Sequence, residues 1–161
     1  MIEWCDHEDI LFMINTTGMQ GYFKRVFQKG LLPDVPVVSA HPLIKYVEQG
    51  SIPCQWYDLL EIQDKPENSQ KVLREWGLSP EKTVLIGDSG GDEPLFEWGA
   101  KIGASLIGSM TKWSPDEYCS KRKIKISLHF GLRYYKGEKR NEAQEMDINF
   151  MGLIPKIEAI L

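Results

Sequence analysis

The sequence predicts an α/β protein with a parallel sheet flanked by helices, a three-layer Rossmann-like arrangement. Two continuous apolar runs, at 10–14 and 83–88, are typical of strands that are buried on both faces of a sheet. Each run is followed by a stretch with apolar residues at helical spacing, at 19–29 and 93–100. Strands that alternate with helices favour a parallel sheet with helical crossovers. We therefore expect one α/β domain over 1–161.

The first forty residues predict a helix end, a strand, a helix and a second strand. Residues 1–9 are typical of the last turns of a helix, and 19–29 form an amphipathic helix. A short strand is expected at 35–40, where Pro36 near its start favours the edge of a sheet. His41 follows that strand, and a lone histidine there is more often structural than catalytic.

The middle of the chain is harder to interpret. We expect a helical turn at 43–47, and 56–62 fits either a strand or a helix. A helix follows, with Pro66 in its first turn, and it runs to about Trp76. The next buried strand is the run at 83–88.

The last third of the chain predicts three further elements and a helical tail. A strand is expected at 102–107, a helix beginning at Ser114 with proline at its first position, and a strand at 124–130. The tail at 146–161 has apolar residues at helical spacing and is expected to pack back on the domain.

Composition excludes several function classes. The net charge of −4 gives no overall signature of nucleic-acid binding. A basic stretch at 121–140 fits either a contact with phosphate-rich ligands or a solvated face beside a short strand. No apolar run is as long as a membrane span. The three cysteines (Cys5, Cys54 and Cys119) have no zinc-site spacing, so we expect reduced thiols in a cytoplasmic protein.

The most informative stretch joins the strand at 83–88 to the helix after it. Asp88 lies at the carboxyl end of the strand, and Asp92 follows a Ser-Gly-Gly loop near the start of the helix. In open parallel sheets, ligands bind outside the carboxyl ends of the strands. Two carboxylates four residues apart suit a hard cation such as Mg²⁺. A helix N-cap is the alternative role for Asp92, but a cap leaves Asp88 unexplained.

The residues LIGDSGGDEPLF resemble the acidic fourth motif of the haloacid dehalogenase superfamily. Most members of that superfamily are Mg²⁺-dependent phosphatases that use an aspartate nucleophile. The resemblance implies that Asp88 and Asp92 hold Mg²⁺, and that Asp88 is part of the catalytic site.

The resemblance extends to the superfamily's second motif, a strand ending in serine or threonine that binds the transferred phosphoryl group. Asn15-Thr16-Thr17-Gly18 follows the strand at 10–14. Thr17 is the better match and Thr16 the alternative, so the resemblance implies substrate binding by Thr16, Thr17 and Gly18. A threonine cap on the helix at 19–29 is the competing interpretation.

The third motif of the superfamily is a lysine near the start of the helix before the acidic strand. Lys65 lies at a suitable distance before Asp88, whereas Lys71 would lie in the middle of that helix. A lysine can hold a nucleophilic carboxylate and a phosphoryl oxygen together. The alternative is a solvated lysine at a helix start.

The first motif, a strand ending in Asp-x-Asp, is not found. Asp6-His7-Glu8 is the nearest candidate, but the next strand begins too soon after it for a parallel crossover. In the superfamily the missing strand lies between those equivalent to 10–14 and 83–88. We therefore expect Met1 to be internal to a longer protein, with the resemblance covering about 10–108.

The expected function is a Mg²⁺-dependent phosphohydrolase that acts on a small phosphorylated substrate through an aspartate upstream of this chain. The resemblance gives Lys65 the role of neutralising that nucleophile and Thr17 the role of holding a phosphoryl oxygen. The chain alone would then have little turnover. The alternative is a non-catalytic module that binds Mg²⁺, phosphate or a protein partner. No nucleic acid or membrane partner is expected.

Overall fold

A computed structural model describes residues 1–43 and 55–161. The chain divides into two compact units, 1–69 and 70–161. Each unit contains a parallel three-stranded sheet with helices packed on it. The predicted α/β fold with parallel strands is confirmed.

The first unit begins with a short helix and has its sheet at the centre. Its elements are α1 (Ile2–His7), β1 (Met13–Met19), α2 (Gln20–Gln28), β2 (Val37–His41), β3 (Gln55–Asp58) and the start of α3 (Asp64–Glu75). The helix end predicted at 1–9 and the helix predicted at 19–29 are confirmed as α1 and α2. Gly77 follows α3 and has a left-handed backbone conformation, at φ +63°, which glycine commonly adopts just after a helix end.

The first sheet has the order β1-β2-β3, with all strands parallel. Val37, Val38 and Ala40 of β2 are fully buried, and Val38 and Ala40 pack in a cluster that includes Phe27. The prediction that this strand lies at a sheet edge is therefore wrong. Pro36 precedes the strand, so its missing N–H interrupts no ladder, and its carbonyl accepts from Gln55 N at 2.8 Å.

Strand β1 begins later than predicted and ends later. The apolar run at 10–12 precedes the strand, and the paired residues are those from Met13 onward. The strand is half-buried and not fully buried, because among residues 1–43 and 55–161 it lies at the edge of its sheet and pairs with β2 alone. An irregularity in the register separates Asn15 from Met19.

Two regions of the middle segment have different outcomes. The helical turn predicted at 43–47 lies outside the described residues except for Leu43. The run at 56–62, which fitted a strand or a helix, contains β3 and ends in irregular structure.

The second unit contains the acidic stretch. Its elements are β4 (Val84–Gly87), α4 (Glu93–Ile102), β5 (Ser105–Thr111), α5 (Trp113–Lys121), β6 (Leu128–Arg133), α6 (Glu142–Met146) and α7 (Ile154–Glu158), with a 3-10 turn at Phe150–Leu153. The sheet has the order β4-β5-β6, again with all strands parallel. Its core contains Leu85, Leu95, Phe96, Leu106 and Cys119.

Several strand boundaries in this unit differ from the prediction. Helix α4 continues to Ile102 and ends at Gly103, at φ +82°, and the N–H of Ala104 bonds to the carbonyl of Gly99 at 2.9 Å. The strand predicted at 102–107 therefore begins at Ser105. The strand predicted at 124–130 begins at Leu128. A short apolar run has no periodicity that separates the end of a helix from the start of a strand.

Strands β1 and β4 are each an edge strand of their own sheet in the described part of the chain. The side chain of Ile86 in β4 is 38% exposed, although β4 was predicted to be a buried strand. An apolar edge strand with an unpaired backbone is a place where another strand can pair. Within the described ranges, no helix is long and apolar enough to cross a membrane.

Candidate functional site

The acidic loop, Gly87–Asp92, connects β4 to α4. Asp92 is buried, at 7% exposure, and its Oδ2 accepts hydrogen bonds from the backbone N–H of Asp88 at 2.9 Å and of Ser89 at 3.3 Å. The N–H of Asp92 in turn bonds to the carbonyl of Ser89 at 2.9 Å. Asp92 lies at the N-cap position of α4 but makes no side-chain cap bond to that helix, and its carboxylate instead fixes the backbone of the loop before it.

Gly87 is required at the end of β4 by the close approach of Asp92. A Cβ atom at this position would lie 2.8 to 2.9 Å from the Cβ, Cγ and Oδ2 atoms of Asp92. Any larger residue would displace the carboxylate that holds the loop. A glycine at position 87 is thus required by its packing against Asp92.

Asp88 differs from Asp92 because its carboxylate faces a cation instead of the backbone. Its side chain is 39% exposed, and Oδ2 lies 3.2 Å from Nη1 of Arg140. Nε of Arg140 donates to Oε1 and Oε2 of Glu145 at 2.7 and 2.6 Å. These bonds to Glu145, followed by the charge of Asp88, raise the pKa of Arg140. The carboxylate of Asp88 thus points to the positive charge of Arg140 and not to the loop backbone.

Arg140 contacts the acidic loop, and the sequence indicated it only as one member of the basic stretch at 121–140. It lies 52 positions from Asp88 in the sequence, and no local spacing connects the two residues. Only the folding of the second unit brings the guanidinium to the acidic loop.

The Lys65 cluster lies in the first unit and consists of Asn15, Ser39, Lys65, Asn68 and Ser69. Nδ2 of Asn15 donates to the carbonyl of Lys65 at 2.9 Å and to Oγ of Ser69 at 3.0 Å. Nδ2 of Asn68 donates to Oγ of Ser39 at 3.0 Å and to the carbonyl of Asp58 at 2.8 Å. Asparagine side chains therefore join the first turns of α3 to the sheet.

Lys65 itself is buried, with 5% of its surface exposed. The alternative of a solvated lysine at a helix start is therefore wrong. Lys71, on the same helix, is exposed. Asn15, which the sequence placed beside the threonines but without a role, contacts the backbone of Lys65 directly. In the described part of the chain, its buried Oδ1 has no hydrogen-bond partner.

The threonines lie within β1 and not after it. Thr17 is exposed, and Oγ1 of Thr16 accepts from the N–H of Gly18 at 3.1 Å. The N-cap of α2 is Met19, with no side-chain cap bond, so the helix-cap interpretation of a threonine is wrong. The hydroxyl of Thr17 is thus available to a ligand.

Other nucleophilic and basic groups have structural roles. Burial raises the pKa of the Cys119 thiol to about 11, so it is protonated and unreactive at neutral pH. Nδ1 of His41 accepts from the N–H of Leu43 at 3.1 Å, which agrees with the structural role expected for this histidine. Cys54 lies outside the described residues.

The donor set of the acidic loop fits a hard cation that takes few protein ligands. Across 1–43 and 55–161, no three or more His, Cys, Asp or Glu side chains form a group able to hold a metal. Mg²⁺ binds through one or two carboxylates and keeps several waters or substrate oxygens.

Comparison with known proteins gives a class of fold. No protein-family model and no curated protein matches the sequence. The architecture is that of the haloacid dehalogenase-like α/β fold, which solved structures of phosphoserine phosphatase share.

Three of those structures show the extent of the likeness. An apo phosphoserine phosphatase has a TM-score of 0.56 and 18% identity, covering 91% of this chain and 62% of that one. A phospho-aspartyl intermediate analogue has 0.55 and 19%, and a substrate-bound complex has 0.57 and 18%; each covers 91% of this chain and 59% of the other. The chain therefore spans about three fifths of the length of the phosphatases it matches.

Proposed function

We propose that this chain supplies the metal-binding and phosphate-binding residues of a Mg²⁺-dependent phosphohydrolase. One observation supports the proposal most directly. The buried carboxylate of Asp92 fixes the acidic loop and leaves Asp88 partly exposed at the carboxyl end of β4. Ligands of open parallel sheets bind outside that end, and the fold is shared with phosphoserine phosphatases.

Each residue has a distinct role in the proposed reaction. Asp88 and Asp92 hold Mg²⁺, with Asp92 binding either directly or through water. The metal, when bound, offsets the negative charge of the phosphoryl oxygens. The ammonium of Lys65 neutralises the nucleophilic carboxylate, and the hydroxyl of Thr17 holds a phosphoryl oxygen, supported by Thr16 and Gly18. Catalysis of this kind consists of positioning and electrostatic stabilisation.

The nucleophile in this proposal is an aspartate on a strand that precedes residue 1 in the complete protein. The edge positions of β1 and β4 support it, because each offers a backbone with which a further strand can pair. The apolar, partly exposed Ile86 of β4 is typical of a strand face that becomes covered. On this proposal, the 161-residue chain by itself has little turnover.

We propose a small phosphorylated molecule as the substrate. One of the similar structures is a substrate-bound phosphoserine phosphatase complex, which supports this class of substrate. A cytoplasmic location and the lack of a nucleic-acid partner remain predictions.

A non-catalytic module that binds a cation or phosphate is the second candidate. The ion pair of Arg140 with Asp88 favours it, because a guanidinium already engages the carboxylate that the metal would use.

The test uses the complete protein with p-nitrophenyl phosphate as substrate, assayed with Mg²⁺ and with EDTA. Asp88→Asn and Lys65→Met are each expected to lower kcat at least about 100-fold, since each removes a charge that stabilises the transition state. Matched controls are Asp116→Asn, an acid paired with Arg133, and Lys71→Met, an exposed lysine on α3.

Three results would count against the proposal. Full activity of Asp88→Asn would remove the acidic loop from the active site. A larger loss of kcat with Lys71→Met than with Lys65→Met would show that Lys71, and not Lys65, is the lysine of the third motif. Mg²⁺ binding without any hydrolysis by the complete protein would favour the non-catalytic module.

A further inference from the structure

We propose that Arg140 competes with the divalent cation for Asp88 and so sets the metal affinity of the acidic loop. This inference rests on the proposed function, because it assumes that Asp88 is a metal ligand. It concerns residues on the C-terminal side of β6, which the sequence resemblance over 10–108 does not reach.

The guanidinium of Arg140 is held along one edge and reaches Asp88 with the other. Its Nε bonds to both carboxylate oxygens of Glu145, at 2.7 and 2.6 Å. Its Nη1 lies 3.2 Å from Oδ2 of Asp88. The bonds to Glu145 are the shorter ones, so Glu145 is the anchor and Asp88 the more readily released partner.

The anchor is itself fixed by its surroundings. Oε1 of Glu145 accepts from the hydroxyl of Tyr134 at 2.8 Å, and that hydroxyl accepts from the N–H of Asn141 at 3.1 Å. The side chain of Asn141 caps α6 by accepting from the N–H of Gln144. Tyr134 is buried, at 8% exposure. The guanidinium therefore stays beside the loop after it releases Asp88.

Arg140 and a metal ion would compete because both are positively charged and both would bind Oδ2 of Asp88. Oδ2 of Asp88 cannot keep its bond to the guanidinium and bind a metal with the same lone pair. A divalent ion on Asp88 would also lie close to a positive charge that Glu145 holds in place. The pair is 39% exposed on both sides, so water screens it and the competition is graded.

The experiment measures the dissociation constant of Mg²⁺ by isothermal titration calorimetry on the full-length protein, without substrate. Arg140→Gln is expected to bind Mg²⁺ about three- to tenfold more tightly than the wild type, as expected for loss of a screened ion pair and a nearby like charge. Arg133→Gln is the matched control, because it removes one positive charge whose partner is Asp116, at 2.8 Å. It should change the constant less than about twofold.

Arg140→Lys provides a second variant that keeps the charge and the fold. A lysine is a single point charge and cannot bond to Glu145 and Asp88 with a planar fork. We expect its Mg²⁺ affinity to lie between those of the wild type and Arg140→Gln. Thermal unfolding of each variant confirms that the folded state is being measured.

The other outcomes are distinguishable. Unchanged or weaker binding by Arg140→Gln, with Mg²⁺ binding intact in the wild type, overturns this inference and leaves the proposed function standing. Weaker binding would identify Arg140 as a residue that orients Asp88. If neither protein binds Mg²⁺ at about 20 mM, well above the dissociation constants of about 0.1–1 mM of the weakest protein sites, the metal site of the proposed function fails, and this inference fails with it.

Discussion

The Lys65 cluster and the acidic loop are both polar, yet they are built in opposite ways. In the Lys65 cluster the lysine side chain is itself buried, and asparagine amides hold the backbone around it. In the acidic loop the buried residue, Asp92, holds the backbone, while the neighbouring Asp88 is partly exposed. The charged lysine of the Lys65 cluster is buried, whereas the carboxylate of Asp88 in the acidic loop is partly exposed.

This difference predicts that substitutions in the two regions have different effects on the free energy of unfolding. A buried amide that loses its partners costs free energy of unfolding, because the groups left behind have no access to water. An exposed carboxylate contributes little to stability and can exchange one cation for another. Three stability measurements test this comparison, and they are presented from the largest expected effect to the smallest.

The largest effect is expected for Asn68→Ala in the Lys65 cluster. Asn68 is 3% exposed and donates to both Ser39 and Asp58. Its loss leaves the buried Oγ of Ser39 and the part-buried carbonyl of Asp58 without this donor and should lower the free energy of unfolding by about 2–3 kcal/mol, measured by urea unfolding. Gln70→Ala, at an exposed position of the same helix, should stay within about 0.5 kcal/mol. Equal losses in the two variants would show that the cluster is not the stabilising element.

An intermediate effect is expected for Asp92→Ala in the acidic loop. It removes the acceptor for the N–H groups of Asp88 and Ser89, which should cost about 1–2 kcal/mol of unfolding free energy. Asp92→Asn keeps a carbonyl oxygen at this position and should recover most of that loss.

The same pair of variants separates the two roles of Asp92. If Asp92 is also a metal ligand, Asp92→Asn will bind Mg²⁺ more weakly than the wild type while it unfolds at nearly the same urea concentration. Unchanged Mg²⁺ affinity in Asp92→Asn would limit Asp92 to holding the loop.

The smallest effect on stability is expected for Asp88→Asn, the variant expected to lose most activity. The ion pair with Arg140 is exposed, so its loss should change the free energy of unfolding by less than about 1 kcal/mol. A loss of several kcal/mol would mean that Asp88 is a structural residue and would remove the contrast between the two regions. Urea unfolding measures this directly.

Sequence patterns were sufficient wherever the information is local. The apolar run at 83–88, the glycine at its end and the two aspartates lie within a few residues of each other, and the structure has the predicted strand, loop and helix there. Lys65 was likewise placed at a helix start from local spacing. Strand limits were less accurate: β1 begins at Met13, because the apolar run at 10–12 does not reveal which residues pair with β2.

What the sequence by itself determined is the order of most of the elements, because periodicity and turn residues act over short distances. Tertiary structure decided which strand is central, which lysine is buried and which cation meets Asp88. The central position of β2 depends on pairing with β1 and β3, and the contact of Arg140 with Asp88 depends on the fold of the second unit. These are contacts between residues far apart in the chain, and no local pattern encodes them.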